Sequence, residues 1–595
     1  MTDGTPQGPT NDPQEAGAQA VTPPAATSAA PEQPKAASVQ RSSAILAAGT
    51  MVSRVLGFVK TVLLAVVIGQ TGSQAAAAFG LANQLPNNVY ILVAGGVMSA
   101  VLVPAIVKAS LGADNGQAFV SKVLTLGGTI FLLLTIVATV AAPLLVQLYA
   151  TTSDDGNGFT SQQMALAIAL AYWCLPQILF YALYTLIGEI FNARGQFGPY
   201  TWAPVVNNLI SLAGLAAFLV WFGDPLVNEN PSPEVWTPDR VAFLGIATTA
   251  GVVAQALVLV LLFRRTGLKF RLDFGWRGVG LRATGMRAGW IFGVVIIGQI
   301  KGLLQSRVVT MGDPDGANVL TMQTAWYVFS LPHSVIAVSI AIAFFTRMSH
   351  HASRNDLTGI RNDVAGALRG VGMLTTISAF VLAVVAVPFM RLFDRNFERA
   401  FQSSIVLWAM LICLVAFSAE YVLQRVFFAL EDTRTPFLYS VFGLVVTSLL
   451  LWACTAVPSL WIVAAASLAV SIANLISCSV WVWLVRRKIG PFGFGLIARR
   501  HVQYLVYAVA AAVPGAAIVW AMGGFVDGGF ATTGMAPGLV TSTLAGAAMA
   551  LVYFGLLFVT RNPDFRSTID LVAGRIPALA RFTGRGRSVG ASDKG

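Results

Sequence analysis

Fourteen long apolar stretches divide this chain of 595 residues and leave room for few other architectures. A helix rising about 1.5 Å per residue needs roughly 20 apolar residues to cross a bilayer core. The first stretch covers 43–68, the second 76–107, the seventh 286–311, the eighth 318–346, the tenth 400–424 and the last 536–560. Charged residues are only 11% of the chain, against about 25% in ordinary soluble proteins. That leaves too little polar surface to coat water-soluble domains. The pattern predicts an all-α polytopic membrane protein with 14 transmembrane helices, and it argues against a soluble enzyme or a cytosolic nucleic-acid binder.

The charges that remain alternate in sign from loop to loop. Arg264, Arg265, Lys269 and Arg271 follow the sixth stretch, and Arg486, Arg487 and Lys488 follow the twelfth. Asp224, Glu229, Glu234 and Asp239 follow the fifth. With the N-terminus placed in the cytoplasm, 30 of the 38 Lys and Arg fall on cytoplasmic segments and 4 on outside loops. Loops rich in Lys and Arg stay inside. The chain is therefore expected in the plasma membrane as a multi-pass protein with both termini cytoplasmic. This asymmetry accounts for the net charge of +12 with no nucleic acid as partner. Residues 1–42 hold no aromatic residue and are expected to form a disordered cytoplasmic tail. Residues 561–595 are expected to form a basic cytoplasmic tail.

An internal repeat subdivides the fourteen. Leu85-Pro86 in the second helix is echoed by Leu331-Pro332 in the eighth, and Arg54 with Lys60 in the first by Lys301 with Arg307 in the seventh. A weaker echo joins Tyr181 to Tyr421. Six helices separate the matched elements, so the repeats run parallel about an axis along the membrane normal. The expected division is an N-lobe over 43–264 and a basic linker over 265–285, then a C-lobe over 286–488 and two appended helices over 489–560. Two parallel six-helix lobes around a cavity are an alternating-access layout.

Arg54, Lys60, Lys301 and Arg307 are the Lys and Arg expected inside the spans. Each costs about 2.5–3.5 kcal/mol at mid-bilayer on insertion scales. Glu189 and Glu420 are too few to neutralise four cations, so the surplus predicts an electropositive cavity that binds an anion. A snorkelling Arg307 and a structural ion pair for one of the others are the competing readings. Pro86, Pro176, Pro332 and Pro436 are candidate hinges. Asn207, Asn208 and Asn474 are expected to bond across helices, with cation binding as the alternative. The four cysteines and four histidines show no metal-ligand spacing, and no nucleophile constellation is present. The chain is not expected to be an enzyme or to hold a metal or cofactor. A membrane potential or a coupled monovalent cation would drive it.

Ser53-Arg54-Val55-Leu56-Gly57-Phe58-Val59-Lys60 resembles the first-helix signature of the MurJ/MviN lipid II flippases. Leu85-Pro86-Asn87, the segment from Gly195 to Asn208, Leu331-Pro332, Thr346-Arg347-Met348-Ser349 and Glu431-Asp432 resemble further segments in order. The resemblance covers about 43–560, and the composition suggests an actinobacterial type. It implies transport of lipid II, the undecaprenyl-diphosphate-linked peptidoglycan precursor, from the inner to the outer leaflet. Arg54, Lys60, Asn87 and the neighbouring Ser53 then become substrate-binding candidates, joined by Lys301 and Arg307. The tails would meet cell-wall synthesis or division proteins. Thr61, Ala77, Tyr90 and Ile91 depart from the family pattern, and Trp326 and Tyr327 stand where it has a charged cluster. The alternatives are an ion-coupled multidrug exporter of the same superfamily, a flippase for another polyprenyl-linked oligosaccharide, a polytopic glycosyltransferase, and a scaffold.

Overall fold

The computed structural model describes residues 36–94, 106, 109, 114–152, 158–225, 232–275 and 281–566. Thirteen helices among them are long and apolar enough to cross a membrane. The second expected span begins as the helix Gln74–Ala94, and most of its remainder lies outside the described residues. In chain order the helices are α1 (Ala36–Ile68), α2 (Gln74–Ala94), α3 (Gln117–Val140), α4 (Ser161–Ala193), α5 (Phe197–Phe222), α6 (Pro238–Leu262) and α7 (Leu281–Val309). There follow α8 (Val319–Ser353), α9 (Leu357–Val384), α10 (Phe397–Ala429), α11 (Arg434–Cys454), α12 (Ile462–Ile489), α13 (Phe494–Ala521) and α14 (Met535–Val559).

Two boundaries differ from expectation. α1 begins at Ala36, inside the segment expected to be a disordered tail, because Ala-Ala-Ser-Val-Gln-Arg offers no helix breaker before the apolar run. α7 begins at Leu281 rather than 286. Residues 1–35 and 567–595 lie outside the described residues.

The internal repeat reappears in the backbone. α3 is interrupted at Ala141 before a short helix, and α9 at Val385 before another. Pro143 and Pro388 sit just beyond these breaks and remove the donors a continuous helix would need. α4 breaks at Leu175-Pro176 and α10 at Ile412-Cys413, the latter without a proline. Asn115 and Asn355 precede α3 and α9 with φ of 55° and 54°, while Gly195 and Glu431 follow α4 and α10 with φ of 69° and 56°. Pro86 is absorbed within α2, Pro332 opens a π-turn over His333–Ala337, and Pro436 sits in the first turn of α11.

Phe79, Leu170 and Phe218 centre the apolar core of the first half; Phe329, Leu407 and Phe427 lie in two cores of the second. α13 and α14 lean on α9, where the Tyr553 hydroxyl donates to the Met373 carbonyl at 2.7 Å. Outside these cores the helices turn apolar side chains outward. Val220 is 88% exposed, Leu551 78% and Trp452 75%. Such surface is stable only against hydrocarbon.

Candidate functional site

The two six-helix halves meet mainly at the end of the bundle far from the chain termini. There the α1–α2 turn is bonded into the second half. Gly72 N–H donates to the Gly316 carbonyl at 2.8 Å, and Asn318 Nδ2 to the Gln70 carbonyl at 2.6 Å. Asp394, in the turn before α10, accepts from Thr71 N–H at 3.1 Å and from Gln70 Nε2 at 3.4 Å. The Thr71 hydroxyl lies 2.6 Å from the Ser403 hydroxyl, and Arg395 pairs with Asp224 at 2.7 Å. Deeper in, Gln323 Nε2 donates to the Gly80 carbonyl and Gln84 Nε2 to the Ser306 hydroxyl.

Burial holds the Asp394 carboxyl above its ordinary range, partly offset by Ser403, Thr71 and the nearby Arg399. Arg391 is shifted below its ordinary value, chiefly by burial.

The innermost of these contacts reaches the sequence signature on α1. The Tyr327 hydroxyl on α8 donates to the Arg54 carbonyl at 3.1 Å. Gly57 lies beside it, where a Cβ would stand at van der Waals contact, 3.4 Å from Tyr327 Oη. On the other flank, Asn208 of α5 donates to the Ser53 carbonyl at 2.8 Å and lies 3.3 Å from its hydroxyl. Among the described residues no hydrogen bond joins the halves nearer the terminal end than this one. Among the described residues, the two halves are thus bonded at the far end and unbonded at the terminal end, where the bundle reads as parted.

Arg54 therefore stands at the apex of the parting, with Lys60 beyond it on the bonded side. Lys60 lies two turns deeper, about 9 Å further along α1. Neither is in an ion pair among the described residues. The pairs present lie toward the two ends, as in Arg347–Asp363, Arg369–Asp564 and Lys488–Asp432. Asn87 is exposed on α2.

The second pair of expected cations does not join them. Arg307 is exposed one turn from the end of α7, and its guanidinium donates to the Leu148 carbonyl at 3.3 Å. A flexible stem that close to a helix end can carry its charge out of the apolar layer, which is the snorkelling reading of Arg307. Lys301 turns inside its own half. Its ammonium lies so close to α11 that a Cβ on Gly443 would come within 2.7 Å of Nζ. Glu420 is near enough to attract it, and accepts from Tyr439 and Trp481 at 3.1 Å each. Lys301 thus faces Glu420 inside the second half, although among the described residues no ion pair within 4.0 Å joins the two.

Asn207 bonds across to Gln255 at 2.7 Å, whereas Asn474 bonds only within its own helix. One cation was not anticipated. α10 runs on to Ala429, so Arg425 belongs to the span. The signal was there: Phe427 and Phe428 continue the apolar run beyond the charge.

Two halves bonded at one end and, among the described residues, unbonded at the other have the layout of an alternating-access transporter. Solved structures share the fold. One, titled lipid II flippase MurJ in an inward closed conformation, superposes with a TM-score of 0.65 at 19% identity, covering 86% of this chain and 99% of its own. A multidrug MATE family transporter in an inward-facing conformation gives 0.57 at 15% identity, with coverage of 74% and 95%. In sequence, a probable lipid II flippase MurJ of Haemophilus influenzae is 25% identical over 496 residues, 79% of this chain and 90% of that protein. That of Rhizobium meliloti is 26% identical over 551 residues, 88% and 94%. The sequence profile of the family described as lipid II flippase MurJ matches residues 50–541. The chain belongs to that family, a family of multi-pass membrane transporters and not of enzymes.

Proposed function

We propose that this chain carries lipid II across the plasma membrane by rocking its two halves about the Arg54–Tyr327 contact, with Arg54 and Lys60 gripping the diphosphate. The observation that carries this reading is the place of two cations, unpaired among the described residues, at the apex of the parted end and just beyond it. Unpaired charge in a membrane protein is costly and marks a substrate path. Two cations at successive depths suit a diphosphate, Arg54 as a planar fork and Lys60 as a point charge. Ser53 and Asn87 supply polar contacts beside them.

The parted end faces the cytoplasm in this reading, with both termini. Support comes from Arg354, Arg486 and Arg487 at that end, and from Asp239 and Asp527 at the other. The prenyl tail has an apolar groove of about 410 Å³ between α8, α9 and α14, lined by Pro332, Ile336, Ile377 and Phe554. The division into N-lobe, linker, C-lobe and two appended helices is supported by the repeated helix breaks. The tails remain free to meet cell-wall synthesis or division proteins, and the Ala- and Gly-rich composition favours an actinobacterial type. A membrane potential or a coupled monovalent cation resets the cycle. Depletion in cells tests the reading: lipid II should accumulate in the inner leaflet, and an unchanged leaflet distribution would overturn it.

A further inference from the structure

Arg425 is an intramembrane arginine that the function above does not use. It lies one turn before the end of α10, about 6 Å inside Ala429 at 1.5 Å per residue. Three aromatic rings collar it. The guanidinium carbon stands 4.3 Å from the centroid of Tyr421, 5.6 Å from Phe428 and 5.8 Å from Phe345 of α8. One terminal nitrogen donates to the Tyr421 hydroxyl. Nε is buried with no hydrogen-bond partner, and no carboxylate pairs with the group among the described residues. Arg347 of α8 does have one, in Asp363.

An aromatic collar attracts a guanidinium by its faces and leaves the in-plane N–H edges for an oxyanion. Stacking alone does not replace the hydrogen bonds a buried Nε–H has lost. The collar is thus an incomplete site that an anion would complete.

Its position continues the site already described. Phe417, Tyr421 and Arg425 recur every fourth residue along one stripe of α10. Phe417 packs edge-on against Trp326 at 5.6 Å and against His333 at 4.6 Å. Trp326 is 44% exposed and adjoins Tyr327, the residue that touches Arg54. An aromatic stripe therefore runs from the apex of the parting down the second half, over about 12 Å of α10, and ends on an unsatisfied arginine.

We infer that Arg425 is a substrate-loading residue: it binds the diphosphate of a polyprenyl-diphosphate lipid at the parted end, before the headgroup climbs the aromatic stripe to Arg54 and Lys60. This rests on the reading of the α1 cations as the diphosphate grip. It supplies what that grip lacks, a cation on the opposite wall.

The test uses the full chain in nanodiscs, with undecaprenyl diphosphate as probe. Binding is measured for the wild type, Arg54→Gln, Arg425→Gln and Arg425→Lys, each with a thermal melt. Arg425→Gln should bind about 10-fold more weakly with its melting temperature unchanged, and Arg425→Lys should recover part of the loss. Where Arg425→Gln melts early, Arg425→Met, which keeps the stem between the rings, replaces it in the comparison. Wild-type affinity in a folded Gln or Met variant overturns the inference. So does a loss seen with intact lipid II but absent with undecaprenyl diphosphate, which would move the contact to the sugar or peptide. If Arg54→Gln weakens binding while Arg425→Gln does not, only the loading residue falls. If the wild type does not bind the probe, or Arg54→Gln binds like the wild type, the α1 grip falls with it.

Discussion

The Tyr327 hydroxyl donates to the Arg54 carbonyl at 3.1 Å across the two halves of the molecule, at the point where their contact ends. One residue thereby supplies a free guanidinium to the site and a backbone acceptor to the seam. Tyr327→Phe removes the bond and keeps the ring. A neutral hydrogen bond contributes about 0.5–1.5 kcal/mol, so the melt should barely move. The seam should open more readily: a cysteine at Gln84 should label faster from the far end than in the Tyr327 parent. Equal labelling would show that the bond does not hold the seam.

Lys301 and Glu420 should behave as a structural pair. Removing one partner of a partly buried, electrostatically coupled pair leaves the other uncompensated. Lys301→Met should lower the melting temperature clearly, and Lys301→Met with Glu420→Gln should restore much of it. A single variant as stable as the wild type, yet inactive, would return Lys301 to the substrate path.

Asp394 sets a pH dependence on the sealed end. Its carboxyl is shifted upward by burial, so the sealed state holds a proton more tightly than an opened, solvated one. The contribution is full below the ordinary carboxylate range and is lost as pH rises through the shifted value. Acid outside should favour the seal. Labelling of a cysteine at Gln402 should increase as pH rises from about 4 to 7, with Asp394→Asn flattening the profile. A profile unchanged by that substitution would rule Asp394 out as its source.

Orientation can be checked directly. Cysteines at Asp239 and Asp527 should label from outside the cell, whereas those at Arg354 and Arg487 should not. Outside labelling at Arg354 would invert the assignment of the parted end.

The helices were legible because apolar length and loop charge are local properties of the chain. Pro332 announced an irregular turn, and a π-turn follows it. The site was legible only in part. Four intramembrane cations against Glu189 and Glu420 left some unpaired by count, and among the described residues Arg54 and Lys60 are in no ion pair. Lys301 finds Glu420 from 119 positions away on another helix, which no spacing rule reports. Arg307 lies in the last turn of its apolar helix, where composition alone does not separate a cavity-facing cation from a snorkelling one. Arg425 escapes any reading that ends a span at a charge, because two phenylalanines continue the apolar run beyond it.

The central claim is that Arg54 is retained for the substrate and not for the fold. An unpaired intramembrane charge is a stability cost, so Arg54→Ala should be neutral or stabilising for the purified protein. Arg54→Lys should transport partly at best, since a point charge replaces a bidentate fork. The decisive measurement pairs the thermal melt of Arg54→Ala with its ability to sustain lipid II flipping in a depleted strain. The account predicts a melting temperature at or above that of the wild type, with flipping lost. A variant that still complements, or that fails only because it unfolds, would contradict it.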